Sequence, residues 1–367
     1  MFNKFKLDSK LAREVDWGII VSIVLIVLFG IVNIYMAIGS KNAGKQLVWL
    51  IISLVCLYFL MLIDYNMLEN YVVIFYWFNV VLLVLTKFVL GSKINGAVGW
   101  IKFGPVSFQP SELAKIAVIL MLAKKIQDFD GKVNNLKNFI ILAMYIIIPV
   151  AFIVIQPDMG MTMVFFFIAL GIFFCAGLDG KVIVSGLFGL FVAIALVWNS
   201  GLIKGYQKRR LISFLNPEAD ASGDGLQVSR ALIGIGSGGV FGIGIKTSGY
   251  ADAFVPENHT DMIFSVIAQH FGTVGCVFLL VLYAILIYKM IEIARTSKDI
   301  FGSVISVGMA SYFIYAILQN IGMNLAIMPV TGITLPLVSY GGSSLLTTIL
   351  SIGLVINIGM RRKKIHF

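Results

Sequence analysis

Long apolar runs separated by short polar breaks make up most of the chain. They lie near 17–38, 47–63, 70–90, 110–125, 138–156, 159–177, 181–200, 262–288, 303–328 and 343–360. A helix needs about 20 mostly apolar residues to cross a bilayer, so the pattern predicts an all-α polytopic membrane protein with about ten transmembrane helices. The first run follows Lys4, Lys6, Lys10 and Arg13 as a signal peptide would, but it is too long and lacks a small-residue cleavage site. It is expected to be a retained helix. One extended hydrophilic stretch, 201–261, interrupts the series. Pro217, Asp220, Ser222 and Gly223 to Gly225 mark turns in it, and Val228 to Ile235 is apolar enough for a short interfacial or re-entrant helix. With no fixed-period repeat and no low-complexity tail, 1–367 is expected to form a single membrane domain that includes 201–261 as a large structured extracytoplasmic loop.

Composition agrees with the pattern. Hydrophobic residues make up 59% of the 367 residues and charged residues 13%, roughly half the ~25% usual for soluble domains. A soluble globular enzyme is excluded. The net charge of +10 comes from bases at the ends of apolar runs, which points to membrane topology rather than to nucleic acid. With an even number of spans, the segments on the side of the termini hold Lys4 to Arg13, Lys124, Lys125, Lys132, Lys137, Lys181, Lys289, Arg295, Lys298 and Arg361 to Lys364. The short loops and helix ends opposite hold Lys41, Lys45, Lys87, Lys93, Lys102 and Lys115. Positive charge favours the inside, so both termini are expected in the cytoplasm. Cys56, Cys175 and Cys276 each sit within an apolar run, and neither a disulfide framework nor a metal site can be built from them.

In this topology the unusual polar residues gather at the outer helix ends. Gln109-Pro110-Ser111-Glu112-Leu113-Ala114-Lys115 opens the fourth span, Gln156-Pro157-Asp158 joins the fifth to the sixth, Tyr206 to Arg210 lies early in the long loop, Pro256 to Asp261 leads into the eighth span, and Pro329 to Ser344 precedes the tenth. Capping could account for some of them. Pro110 suits a first helical turn, Glu112 complements the helix dipole, Asp158 is a preferred N-cap residue, and Thr260 or Asp261 could cap the eighth span. Capping does not account for Lys115, a cation near the wrong helix end and on the face of Glu112. Ionisable groups at membrane depth are costly and functional by default. Glu257 and Asp261 flank His259, and a carboxylate at a dry boundary is a natural general base. His259 with its neighbouring acids is a weak candidate for a divalent cation such as Mg or Mn, and Arg209 and Arg210 would suit a phosphate. His270, inside the eighth span, is expected to be packed and hydrogen-bonded. The run Gly234 to Gly244 lacks the G-x-x-x-x-G-K-[ST] motif and would lie on the side of the membrane that lacks ATP, so it is expected to serve close backbone approach rather than nucleotide binding. Gly341-Gly342-Ser343-Ser344 offers backbone N–H groups for an anion, with capping by Ser343 or Ser344 as the alternative.

These stretches resemble the SEDS proteins, the RodA/FtsW/SpoVE family of bacterial cell-wall polymerases. The matching segments are Gln109 to Lys115, Gln156 to Gly160, Phe214 to Pro217, Ile235 to Gly242, Phe254 to Ile267 and, most specific, Pro329 to Ser344. The resemblance implies a peptidoglycan glycosyltransferase of the cytoplasmic membrane that polymerises lipid II on the outer face, with a class B penicillin-binding transpeptidase as partner. It implies Asp261 as the catalytic aspartate, and Glu112, Lys115, Asp158 and Arg210 as functionally sensitive polar positions. Lys45 falls where the family has a base. The chain departs from the family pattern at Gly99, Met161 and Arg230-Ala231, while short termini favour a RodA-like elongation role. A lipid II flippase is the alternative, and a non-catalytic scaffold for the transpeptidase a third possibility. A transporter should carry polar residues at the bilayer midplane and often an inverted repeat, and neither is evident.

Overall fold

The computed structural model describes residues 9–94, 97–104, 106–199, 223–245 and 247–362. Helices α1 (Ser9–Arg13), α2 (Trp17–Ile38), α3 (Ser40–Leu62), α4 (Tyr65–Glu69) and α5 (Val72–Leu85) come first, and a π-helical turn, Thr86–Leu90, extends α5. Strands β1 (Gly91–Ile94), β2 (Ala97–Phe103) and β3 (Val106–Phe108) follow. Helices α6 (Pro110–Asp128), α7 (Leu136–Ile155), α8 (Met159–Cys175) and α9 (Gly180–Asn199) precede α10 (Asp224–Gly238), α11 (Tyr250–Phe254), α12 (Ile263–Thr296), α13 (Ile300–Asn324) and α14 (Gly342–Met360).

Seven of these helices, counting α5 with its π turn, are long and apolar enough to cross a membrane. Two of the other expected spans differ in character: α6 carries Glu112, Lys115, Lys124, Lys125 and Asp128 within 19 residues, and α8 has 17 residues. Boundaries also move. Helix α3 begins at Ser40 rather than 47, because Asn42, Lys45 and Gln46 do not break a helix, whereas Gly39 does, at φ 85°.

The antiparallel sheet β1-β2-β3 was not anticipated from the apolar runs. Ile101 pairs with both Gly91 and Phe108. The sheet is tied to the helices by the Val98 N–H, which donates to Gln156 O at 3.3 Å, and by Ser343 Oγ, which donates to Ser107 O at 3.1 Å.

Helices α13 and α14 form the centre and are largely enclosed, with Ile305, Phe313, Ala316, Ile349, Ile352 and Val355 buried. Small residues allow close packing: a Cβ on Gly308 would lie 2.8 Å from Ile119, and one on Gly359 2.8 Å from Ile293. Charged pairs collect at one end of the bundle, where Lys289 meets Asp16 at 3.4 Å, Arg362 meets Glu292 at 3.6 Å, Arg361 meets Asp64 at 3.5 Å and Lys124 meets Glu69 at 3.4 Å. Tyr65 donates to Asp299 there at 2.6 Å, and burial pushes its phenol well above the ordinary value. The two ends of the described chain share this end, and α6 runs to it from the opposite one.

Helix α12 is broken at Gly272 (φ 62°, ψ −162°). The glycine-rich turn after α10 repairs the break. Ile243 and Gly244 N–H groups donate to Gln269 and His270 carbonyls at 3.0 and 3.1 Å, and Thr273 and Val274 N–H groups donate to Gly239 and Val240 carbonyls at 3.0 and 3.1 Å. Irregular backbone at membrane depth needs such satisfaction, and only glycine fits at Gly242 (φ 79°), where a Cβ would collide with the His270 carbonyl. The short interfacial or re-entrant helix expected over 228–235 is longer, Asp224–Gly238, and the glycines do serve backbone approach.

Candidate active site

At the end of the bundle away from the charged pairs, Gln109 takes an extended conformation and Pro110 opens α6. This start fixes the face on which Glu112 and Lys115 lie. Their side chains form a 2.9 Å ion pair and are 8% and 6% exposed. The ammonium of Lys115 also sits 3.8 Å from the ring centre of Tyr312 on α13, a cation–π contact. From α14, Thr347 Oγ1 lies 3.4 Å from Glu112 Oε2. Asp158 both caps α8 and belongs to this polar layer: one oxygen accepts from Met161 N–H and the other from Gln109 Nε2, both at 3.0 Å. Burial raises its pKa, with the charge of Glu112 adding to the effect, while the two hydrogen bonds and Lys115 oppose it.

Asp261 reaches the same region from another element. Residues 256–262 form a tight turn in which Glu257, at φ 52°, accepts through its carbonyl from Thr260 and Met262 N–H groups, and Thr260 Oγ1 donates to Glu257 Oε2 at 2.9 Å. The N-cap of α12 is Met262. Neither Thr260 nor Asp261 holds the N-cap position allowed for it. The Asp261 carbonyl accepts from Asn320 and Asn324 on α13 at 2.9 and 3.1 Å, and the half-buried side chain lies beside Gly332. A Cβ on Gly332 (φ 76°) would stand 3.5 Å from Asp261 Oδ2.

The loop between α13 and α14 joins the two groups. A Cβ on Gly160, in the first turn of α8, would lie 2.6 Å from the Thr331 carbonyl, so the residues beside Asp158 touch the loop one position before Gly332. Further along, Ser339 Oγ donates to Thr260 O at 2.7 Å and Tyr340 N–H to His259 O at 2.8 Å. The His259 ring lies 5.9 Å from that of Tyr340, and burial lowers its pKa, partly offset by Glu257. Glu112, Lys115, Asp158, Glu257, His259 and Asp261 thus face one end of the bundle around a single loop.

Other expected residues fall differently. Lys45 is exposed on α3, and its neighbour Gln46 turns inward, donating to Ser339 O and accepting from Gly341 N–H, both at 3.2 Å. Ser343 anchors the sheet, and α14 has Gly341 as N-cap without a side-chain cap, so Ser343 and Ser344 do not cap it. Arg209 and Arg210 lie outside the described residues. Tyr312, Asn320, Asn324 and Gly332 were not singled out from the sequence, although Asn320 and Asn324 are amides four apart in an apolar helix, a legible signal. Among the described residues, no group of three or more His, Cys, Asp or Glu side chains is placed to hold a metal.

Residues 13–364 match the family model of FtsW, RodA and SpoVE, described as a cell cycle protein. The chain belongs to the FtsW/RodA/SpoVE family. Within that family it is 33% identical over 322 residues to stage V sporulation protein E of Bacillus subtilis, covering 86% of each chain. It is 37% identical over 284 residues to the peptidoglycan glycosyltransferase MrdB of Escherichia coli, covering 77% of this chain and 76% of that one. Among solved structures, a peptidoglycan synthase complex studied for its coordination of polymerization and crosslinking superimposes with a TM-score of 0.83 at 32% identity, covering 94% of this chain and 97% of that one. The rod shape determining protein RodA of Thermus thermophilus superimposes with a TM-score of 0.73 at 29% identity, covering 95% and 98%. With its apolar helices, this FtsW/RodA/SpoVE member is a multi-pass protein of the bacterial cytoplasmic membrane.

Proposed function

We propose that this peptidoglycan glycosyltransferase joins lipid II units at the outer face of the membrane, with Asp261 as the general base. The observation that carries the proposal is the placement of Asp261: its carbonyl is fixed by Asn320 and Asn324, while its carboxylate lies beside the exposed Gly332 in the loop that also meets the Asp158 turn. A base held by its backbone beside an exposed glycine can meet a hydroxyl delivered from outside.

In the reaction Asp261 takes the proton from the acceptor sugar's 4-hydroxyl as that oxygen attacks the donor's anomeric carbon. The bond to the pyrophosphate breaks, and its electron pair leaves with the lipid pyrophosphate. Positive charge near the leaving group lowers the barrier, a role assigned to Lys115 beneath the Gln109–Asp158 layer and to Arg210 of the long loop. Glu112 and Tyr312 hold Lys115 in place, and Asp158 with Gln109 offers acceptors and donors to sugar hydroxyls. Glu257 and His259 shape the turn around the base. The end bearing the charged pairs, with both termini, would face the cytoplasm, and a class B penicillin-binding transpeptidase would crosslink the strands formed. The synthase complex among the similar structures, studied for polymerization and crosslinking together, supports that pairing.

Purified parent and Asp261→Asn protein supplied with lipid II test the proposal. The variant is expected to make no glycan polymer, and normal polymerisation would eliminate Asp261 as the base. A flippase would call for polar groups at midplane, whereas the Glu112–Lys115 pair lies in the first two turns of α6.

A further inference from the structure

Outside the site, the described residues hold one other deeply buried charged pair. His270 Nε2 lies 2.8 Å from Asp252 Oδ2, and the two side chains are 1% and 10% exposed. On the other side of the ring, His270 Nδ1 lies 2.7 Å from the Gly244 carbonyl. A neutral imidazole carries a single N–H, so it can satisfy one of these two acceptors and not both. The carboxylate oxygen facing the ring also accepts from Gly249 N–H at 2.8 Å, as an ionised oxygen does.

We propose that His270 is a doubly protonated imidazolium whose pair with Asp252 positions the turn that carries Asp261, without touching substrate. Asp252 belongs to α11, and α11 is where that turn is gripped. The side chain of Asn258, three residues before Asp261, donates to the carbonyls of Ala251 and Asp252 at 3.3 and 2.9 Å, while Ala251 N–H donates to Gln269 Oε1 at 2.7 Å. His270 therefore fastens α11 to α12 two residues before the break at Gly272, and α11 fastens Asn258. The grip from the α13–α14 loop, through Ser339 and Tyr340, holds the opposite side of the turn. Ionised groups at membrane depth are costly unless paired, and a buried pair adds little net stability over apolar packing. A fixed orientation for the segment that bears the base is what this pair provides.

The inference rests on Asp261 being the base, and one of its tests does not use turnover. In the full chain reconstituted in liposomes with 15N-histidine, the substitutions His259→Gln and His366→Gln leave His270 as the reporter among the three histidines. At neutral pH both of its ring nitrogens are expected to carry protons, and a bare ring nitrogen would overturn the pair. In otherwise native protein, Asp252→Asn and His270→Gln are each expected to lower kcat for polymerisation about tenfold or more, with KM for lipid II within about twofold. Combined, they should do little more than the worse single change, because both break one contact. Losses that only follow the fraction of folded protein, or an unchanged kcat, would also overturn it. An active Asp261→Asn protein defeats the base instead and leaves the nitrogen protonation standing.

Discussion

The acids of the site differ in what surrounds them, and this makes their substitutions distinguishable. Asp158 is held above its ordinary pKa by burial, so the native chain binds that proton more tightly than the unfolded chain does. Stability from this group is therefore greatest at low pH and falls as pH rises from about 3.9, the unfolded value, through the native one. At pH 8, Asp158→Asn is expected to keep or raise the melting temperature, with the difference closing in acid, while polymerisation falls. Thermal unfolding in detergent at several pH values, beside a polymer assay, checks both. Glu112 and Lys115 behave in the opposite way. Lys115→Met leaves a buried carboxylate unpaired and should cost about 3–5 kcal/mol, whereas adding Glu112→Gln should return most of the loss without restoring activity. These two residues were legible in the sequence because a cation three positions after an acid near a helix start has no capping explanation. Tyr312 was not legible, since a tyrosine in an apolar helix gives no sign of facing an ammonium group.

Among the elements, the apolar helices could be read from run length, and their ends could not. Helix α3 begins where a glycine permits the chain to turn rather than where apolar residues begin. The β1-β2-β3 sheet was missed because its residues are too few and too mixed to register as a span, although Asn95-Gly96 between alternating segments is a hairpin signal. The broken helix α12 was also hidden: Gly272 sits in an unbroken apolar run, and the repair comes from a segment some 30 residues earlier. Gly272→Ala puts a side chain at positive φ and against the Val240 carbonyl. It is expected to destabilise the protein by about 2–3 kcal/mol, seen as earlier proteolysis or a lower unfolding midpoint.

At the scale of the molecule, the polar site and the charged pairs occupy opposite ends, and the asymmetry of bases in the sequence leads one to expect the charged pairs on the cytoplasmic side and the site on the other. Ser107→Cys, beside α14, should react with a membrane-impermeant thiol reagent in intact spheroplasts, and Asp130→Cys, in the turn after α6, only after lysis. The reverse pattern would turn the site toward the cytoplasm. Apart from His270 and Asp252, the described ion pairs that link different helices lie on the side of the termini. The described hydrogen bonds that join the elements at the Asp261 turn run between neutral groups, from Asn320 and Asn324 to the Asp261 carbonyl and from Ser339 to that of Thr260. If a growing polymer passes there as proposed, the contacts it parts are dipolar ones that water can replace. Such contacts part more readily than the paired charges at the far rim, so loosening is expected at the mouth while that rim stays shut.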